Sequence, residues 1–130
     1  MKRIVLVICA VVALLQMSCS KPEPSEVATQ TAMLYYDHLL QGRYGDYVAG
    51  MYFEDSIPGS YRSQLEDNAK MFMAQQKISR KGITSIQPGH ANCDTAHHKA
   101  DVFLVLTYGD GNTEQVLVPM IEKNGVWYMR

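Results

Sequence analysis

His97-His-Lys-Ala-Asp-Val-Phe-Leu-Val-Leu-Thr-Tyr-Gly-Asp-Gly-Asn-Thr-Glu-Gln-Val-Leu-Val-Pro-Met-Ile-Glu-Lys-Asn-Gly-Val-Trp-Tyr-Met-Arg130 decides the fold. Three apolar runs are separated by GDGN and KNG. In the first, Ala100, Val102, Leu104 and Leu106 share one face of a strand, and Asp101, Phe103, Val105 and Thr107 share the other. In the second, Val116, Val118 and Met120 alternate with Gln115, Leu117 and Ile121. Gly109–Asn112 and Asn124-Gly125 supply residues that tolerate positive φ, so the runs are expected to join as tight hairpins. Such a meander has a face to cover.

The segments before it can cover that face. Ile83, Ser85 and Gln87 alternate with Thr84 and Ile86, predicting a first strand that runs toward Cys93, with a turn at Asn92–Thr95. Upstream, Glu26–Gln41 reads as a helix with Ala28, Ala32, Tyr35, Tyr36, Leu39 and Leu40 on one stripe, Ser25 as N-cap and Gly42 as stop. A short helix is expected over Asp46–Phe53, with Val48, Met51 and Tyr52 inward. A third opens at Pro58 and carries Tyr61, Leu65, Ala69 and Phe72 at helical spacing, closing at Lys81-Gly82 with fraying expected from Ile78.

Composition makes this one ordinary globular domain, with 47% hydrophobic and 19% charged residues in 130. The N-terminus is set apart. Lys2 and Arg3 precede an apolar run, Ile4–Leu15, too short for a comfortable membrane span, which is the pattern of a secretory leader over 1–18. Leu15-Gln16-Met17-Ser18-Cys19 resembles the bacterial lipobox, although Gln16 stands where that motif prefers Leu. The resemblance implies cleavage before Cys19 and lipid attachment to it, and several acyl chains on one cysteine give stable anchoring. Ser20, rather than an Asp resembling an inner-membrane retention signal, implies an outer-membrane destination on an undetermined side. Residues 19–26 are then the lipidated cysteine and a polar, proline-bearing tether, and 27–130 the folded domain. Without Lys2 and Arg3 the chain holds 10 basic against 13 acidic residues, and no basic stripe suits nucleic acid.

Three helices followed by a curved, four-stranded antiparallel meander make an α+β cone. The lengths and apolar positions of LLQGRYGDYVAGMY (Leu39–Tyr52), PGSYRSQLEDNAKMF (Pro58–Phe72) and NGVWYMR (Asn124–Arg130) resemble the nuclear-transport-factor-2-like, cystatin-like superfamily, in particular its small lipoproteins without an assigned role. The resemblance implies a cone whose interior is often a pocket. It is nearly silent on activity, because the fold hosts isomerases, hydratases and binding modules alike.

Within such a cone Tyr35, Tyr36, Tyr52, Phe72 and Trp127 are the candidate ligand-binding residues, against the simpler reading that they only fill it. Isomerase-like members imply an Asp base beside a Tyr or Asp donor. Asp101 and Asp37 fall on the wrong faces for that role, so no catalytic residue is nominated. With Cys9 in the leader and Cys19 lipidated, Cys93 is the remaining thiol and no intrachain disulfide is expected. His90, Cys93, His97 and His98 cluster around the expected hairpin tip at Asp94, where His90 would face His98. Their spacing matches no zinc motif, and no metal or cofactor is assigned. Phe103, Val105, Leu117 and Ile121 leave the outer face of the sheet partly apolar, which suits a homodimer. The expectation is a lipid-anchored, non-catalytic module binding a small molecule or a protein partner. Its alternatives are an isomerase- or hydratase-like enzyme and a structural subunit of an envelope complex.

Overall fold

The computed structural model describes residues 23–130; the leader and Cys19 lie outside them. Helix α1 spans Pro24–Leu40, α2 Tyr44–Ala49 and α3 Gly59–Arg80. Strands β1 (Ile83–Asp94), β2 (Lys99–Tyr108), β3 (Thr113–Lys123) and β4 (Val126–Met129) follow. They form one antiparallel sheet in the order β1-β2-β3-β4. The expected three helices and four-stranded meander are what the chain builds.

The alternation that predicts β2 also sets its burial. Ala100, Val102, Leu104 and Leu106 are buried against α1, while Phe103 and Val105 on the outer face are half-covered. Val118 and Met120 of β3 join them, as do Ala28 and Ala32 of α1, whose small side chains let the helix lie close. Trp127 and Met129 of β4 close the cluster. Tyr35 belongs to this seam, since its hydroxyl donates to Trp127 O at 2.6 Å. Asn124 and Gly125 both take positive φ, 54° and 79°, which is the two-residue turn that matches strand twist between β3 and β4.

Several local boundaries differ from expectation. Helix α1 starts at Pro24, earlier than Ser25 capping would place it, because Pro presets helical φ in the first turn and sacrifices no N–H bond there. Helix α2 begins at Tyr44 and ends at Ala49, before Met51 and Tyr52. Met51 instead bridges Met129 in parallel, and Tyr52 N–H donates to Met129 O at 2.7 Å, so the end of the sheet captures this segment. Helix α3 continues without a break past Ile78 to Arg80, and Lys81 (φ 61°) then turns the chain.

The first hairpin tip is displaced from the expected turn. Asp94 still pairs with Lys99, a 3₁₀ turn occupies Thr95–His97, and His98 takes positive φ. His90 therefore lies beside an irregularity between Pro88 and Ala91, far down the strand from His98. The two histidines do not face one another.

The larger difference is in α3. Helical spacing predicts that its apolar stripe packs down on the sheet, yet Ala69 is its one buried residue, and Tyr61 and Phe72 remain 46% and 39% exposed. The helix rests mainly on α2 and reaches the sheet through β1. Its C-terminal end is tied to the β2–β3 loop, where Gly109 N–H donates to Gly82 O at 2.8 Å and Asp110 N–H to Arg80 O at 3.1 Å. Held at that end and propped on α2, α3 stands away from β3. No helix among the described residues is long and apolar enough to cross a membrane.

Candidate functional site

The gap beneath α3 is a cavity of about 640 Å³, within the roughly 300–1,000 Å³ usual for small-molecule sites. Three walls enclose it. Helices α1 and α2 contribute Tyr36, Leu39 and Tyr47; α3 contributes Phe72, Gln76, Ser79 and Arg80; the inner sheet contributes Leu106, Tyr108, Glu114 and Val116. Tyr36 and Tyr47 meet edge to face, with centroids 6.0 Å apart and planes at 87°, the geometry that sets one ring's positive edge on the other's face.

At the sheet end the lining turns polar. Glu114 Oε2 accepts from the Tyr108 hydroxyl at 2.5 Å and from Arg80 at 3.0 Å. The Arg80 guanidinium also lies over the Tyr108 ring, 4.5 Å from its centroid. The three side chains hold one another, so Tyr108 presents a fixed wall and the charges of Arg80 and Glu114 cancel locally. Both charged groups are near half-exposed, so the pair is worth about 0–1 kcal/mol to stability.

The phenols here stay neutral through the physiological range. Burial raises Tyr36 far above its ordinary value near 10, with the neighbouring Tyr47 and Tyr108 adding to the shift. Burial also raises Tyr47, and its hydrogen bond with Tyr36 opposes part of that. Tyr108 is raised by burial and by the carboxylate it bonds, with Arg80 pulling the other way. Each phenol is thus a neutral hydroxyl, not a base, and that of Tyr108 already donates to Glu114.

Of the residues singled out in the sequence, Tyr36 and Phe72 line this cavity. Tyr52 lines an adjoining one, together with Tyr36 and Tyr47. Tyr35 and Trp127 lie outside both, joined to each other in the core seam. Sequence reasoning missed Arg80 and Glu114. A signal existed: continuing the inward alternation of β3 two residues back from Val116 reaches Glu114, and extending the α3 stripe past Phe72 reaches Gln76 and Ser79-Arg80.

The histidine cluster disperses. His97 Nδ1 pairs with Asp94 Oδ2 at 2.7 Å, His98 Nδ1 with Glu122 Oε1 at 3.2 Å, and His90 Nε2 with Asn92 Oδ1 at 2.9 Å. Among the described residues no three His, Cys, Asp or Glu side chains converge as a metal site would require. Cys93 lies on β1, away from the cavity. Burial and the carboxylates of Glu122 and Asp94 raise its thiol, which disfavours the reactive thiolate.

No family model matches the sequence, and no curated protein matches it significantly. Solved structures do match it. A candidate NTF2-like transpeptidase from Campylobacter jejuni superposes with a TM-score of 0.61 at 13% identity, covering 75% of this chain and 92% of that one. Aln2 from a Streptomyces species superposes with a TM-score of 0.52 at 12% identity, covering 85% and 88%. The chain has the nuclear-transport-factor-2-like fold. At such identities the likeness is one of fold alone. The cavity of this nuclear-transport-factor-2-like cone is described by its own side chains, and activity is argued from those.

Proposed function

We propose that this domain is a non-catalytic binding module for a small molecule, held at the outer membrane by lipid on Cys19. One observation carries the binding reading: α3 stands off the sheet, so that of its apolar stripe only Ala69 is buried, while Phe72 lines one cavity and Tyr61 and Leu65 line the adjoining one. Exposed Phe72 on a helix that spans the opening is unfavourable in a closed fold and useful in a site that awaits a ligand. Four aromatic rings and the amide of Gln76 suit a molecule with an apolar body and a few polar groups.

The lining supports binding over turnover. It contains no imidazole and no thiol, so Ser79 has no partner that would activate it. Nothing in it corresponds to the cysteine or histidine chemistry of acyl transfer. One observation favours the isomerase- or hydratase-like reading: a carboxylate, Glu114, hydrogen-bonded to a tyrosine inside the cone. Its Oε2 is committed to both Tyr108 and Arg80, however, so that oxygen is a fixed acceptor already held by two donors. A structural subunit with a filled cone draws no support from an open cavity.

A thermal-shift screen against uncharged and weakly polar metabolites tests the binding reading, since a ligand for the native state raises Tm by mass action. Hits are expected to lose their effect in Ser79→Trp, which places an indole in the cavity mouth. Shifts of the same size in wild type and Ser79→Trp would count against it. The anchor has its own test. Cys19→Ala should move the protein from the membrane fraction to the soluble fraction, and unchanged fractionation would exclude lipid at that position.

A further inference from the structure

We propose that the cavity is the polar end of a longer slot, and that its ligand is a single-chain amphiphile. An uncharged, hydroxylated head sits beside Arg80 and Glu114, and an alkyl tail runs toward Leu65. The inference rests on the binding reading above and adds the class of ligand.

A second cavity of about 330 Å³ adjoins the first, and Tyr36 and Tyr47 line both. The two lie end to end along the same pair of elements. On α3, the first takes Phe72–Arg80 and the second Tyr61 and Leu65; on β3, the first takes Glu114 and Val116 and the second Leu117–Pro119. From Glu114 to Pro119 the strand advances roughly 17 Å, so the two cavities together would make a long slot. A compact molecule would occupy one half of it.

Polarity is graded along that length. The β2–β3 end carries Arg80, Glu114, Gln76, Ser79 and the Tyr108 hydroxyl. The far end is lined mainly by Met51, Phe53, Leu65, Val118 and Met129, with the rings of Tyr52 and Tyr61 beside them. Its one charged group, Arg130, reaches out to Asp101 at 3.4 Å. An apolar tail gains there by leaving water, and apart from the tyrosines the lining offers it carbon and sulfur.

The head is uncharged because the charges that meet it are already paired. An anion would have to part Arg80 from Glu114, and a cation would have to part Glu114 from Arg80. A hydroxyl does neither. It can donate to Glu114 Oε1, which no donor among the described residues occupies, and accept from the Gln76 amide.

Isothermal titration of the purified protein with octyl, decyl and dodecyl glucosides, each below its micellar concentration, tests this. Affinity should rise about fourfold per added methylene until the slot is filled. Leu65→Glu should abolish that gain and leave octyl glucoside within about twofold of wild type, since the head contacts remain. Tyr61→Glu, at an exposed position, gives the same readout should Leu65→Glu fail to fold. Glu114→Gln should weaken every member about tenfold, as expected for one hydrogen bond to a charged group, without changing the gain per methylene. An affinity independent of chain length, or a gain that survives both tail-end variants, would overturn the amphiphile and leave a compact ligand and the binding reading intact. Dodecyl sulfate binding more tightly than dodecyl glucoside would overturn the uncharged head. No binding by any glucoside would also overturn the proposal, while the thermal-shift screen decides the binding reading separately.

Discussion

Tyr36 sits where the two cavities meet, and its ring and hydroxyl are shared between core and site. Burial keeps its proton in place, as it does for Tyr47, Tyr108 and, with Tyr128 nearby, Tyr35. Stability depends on those protons. In the unfolded chain these phenols ionise near pH 10, whereas the folded chain must hold the protons longer. A raised folded value means that the native state binds more protons above pH 10, so stability is complete below that pH and falls as pH rises through the folded values. Urea unfolding followed between pH 9 and pH 11.5, roughly spanning the ordinary tyrosine range, should show a falling midpoint. Phenylalanine at positions 36 and 47 should flatten that fall. A midpoint that holds level across the range would contradict the burial assigned to these rings.

At the scale of elements, the attachment of α3 to the β2–β3 loop keeps the cavity open at a defined width. Gly109 permits it. A Cβ at that position would approach the backbone oxygen of Lys81 to 2.2 Å, and a carbonyl in a hydrogen-bonded turn cannot swing aside as a flexible side chain would. Gly109→Ala should therefore cost about 1–3 kcal/mol, and hydrogen exchange should locate the loosening at Arg80–Gly82 and in the C-terminal half of α3. Uniform loosening, or none, would show that the helix is held elsewhere. The same elements show what is legible in the sequence. Strand alternation from Ala100 to Leu106 is readable because one face of β2 is wholly buried, so every second residue is constrained. The stripe on α3 is equally visible, but spacing says only which residues share a face; it is silent on whether a core or a void lies opposite. Arg80 and Glu114 are 34 residues apart and meet only because the loop ties α3 back to the hairpin. The tip at His98 is unreadable for a related reason. A histidine in the left-handed region is unusual, and here the pairing of Asp94 with Lys99 imposes it.

On the scale of the whole molecule, the sheet has two different faces. Its inner face divides between the α1-covered core and the cavity beneath α3. Its outer face carries Phe103 directly opposite Leu117, with Ile121 opposite Tyr128 further along. Leu117 is 49% exposed. We propose that a second copy covers this patch in solution. Sedimentation should then show a dimer that Leu117→Arg converts to monomer, because a guanidinium opposite an apolar surface loses its water without gaining a partner. A monomeric wild type at high concentration would end that idea and leave the cavity beneath α3 untouched, since the outer face shares a lining role only at the edge formed by Leu117 and Pro119, in the adjoining cavity. The cone, by contrast, is central. Binding is proposed because the fold leaves space where a closed protein would place side chains.

The most direct measurement is native mass spectrometry of residues 20–130 purified gently, compared with the same sample denatured. The account predicts additional mass, noncovalent and lost on denaturation, that is absent from Ser79→Trp. A bare polypeptide mass in every preparation, with amphiphile probes added and still not retained, would contradict it.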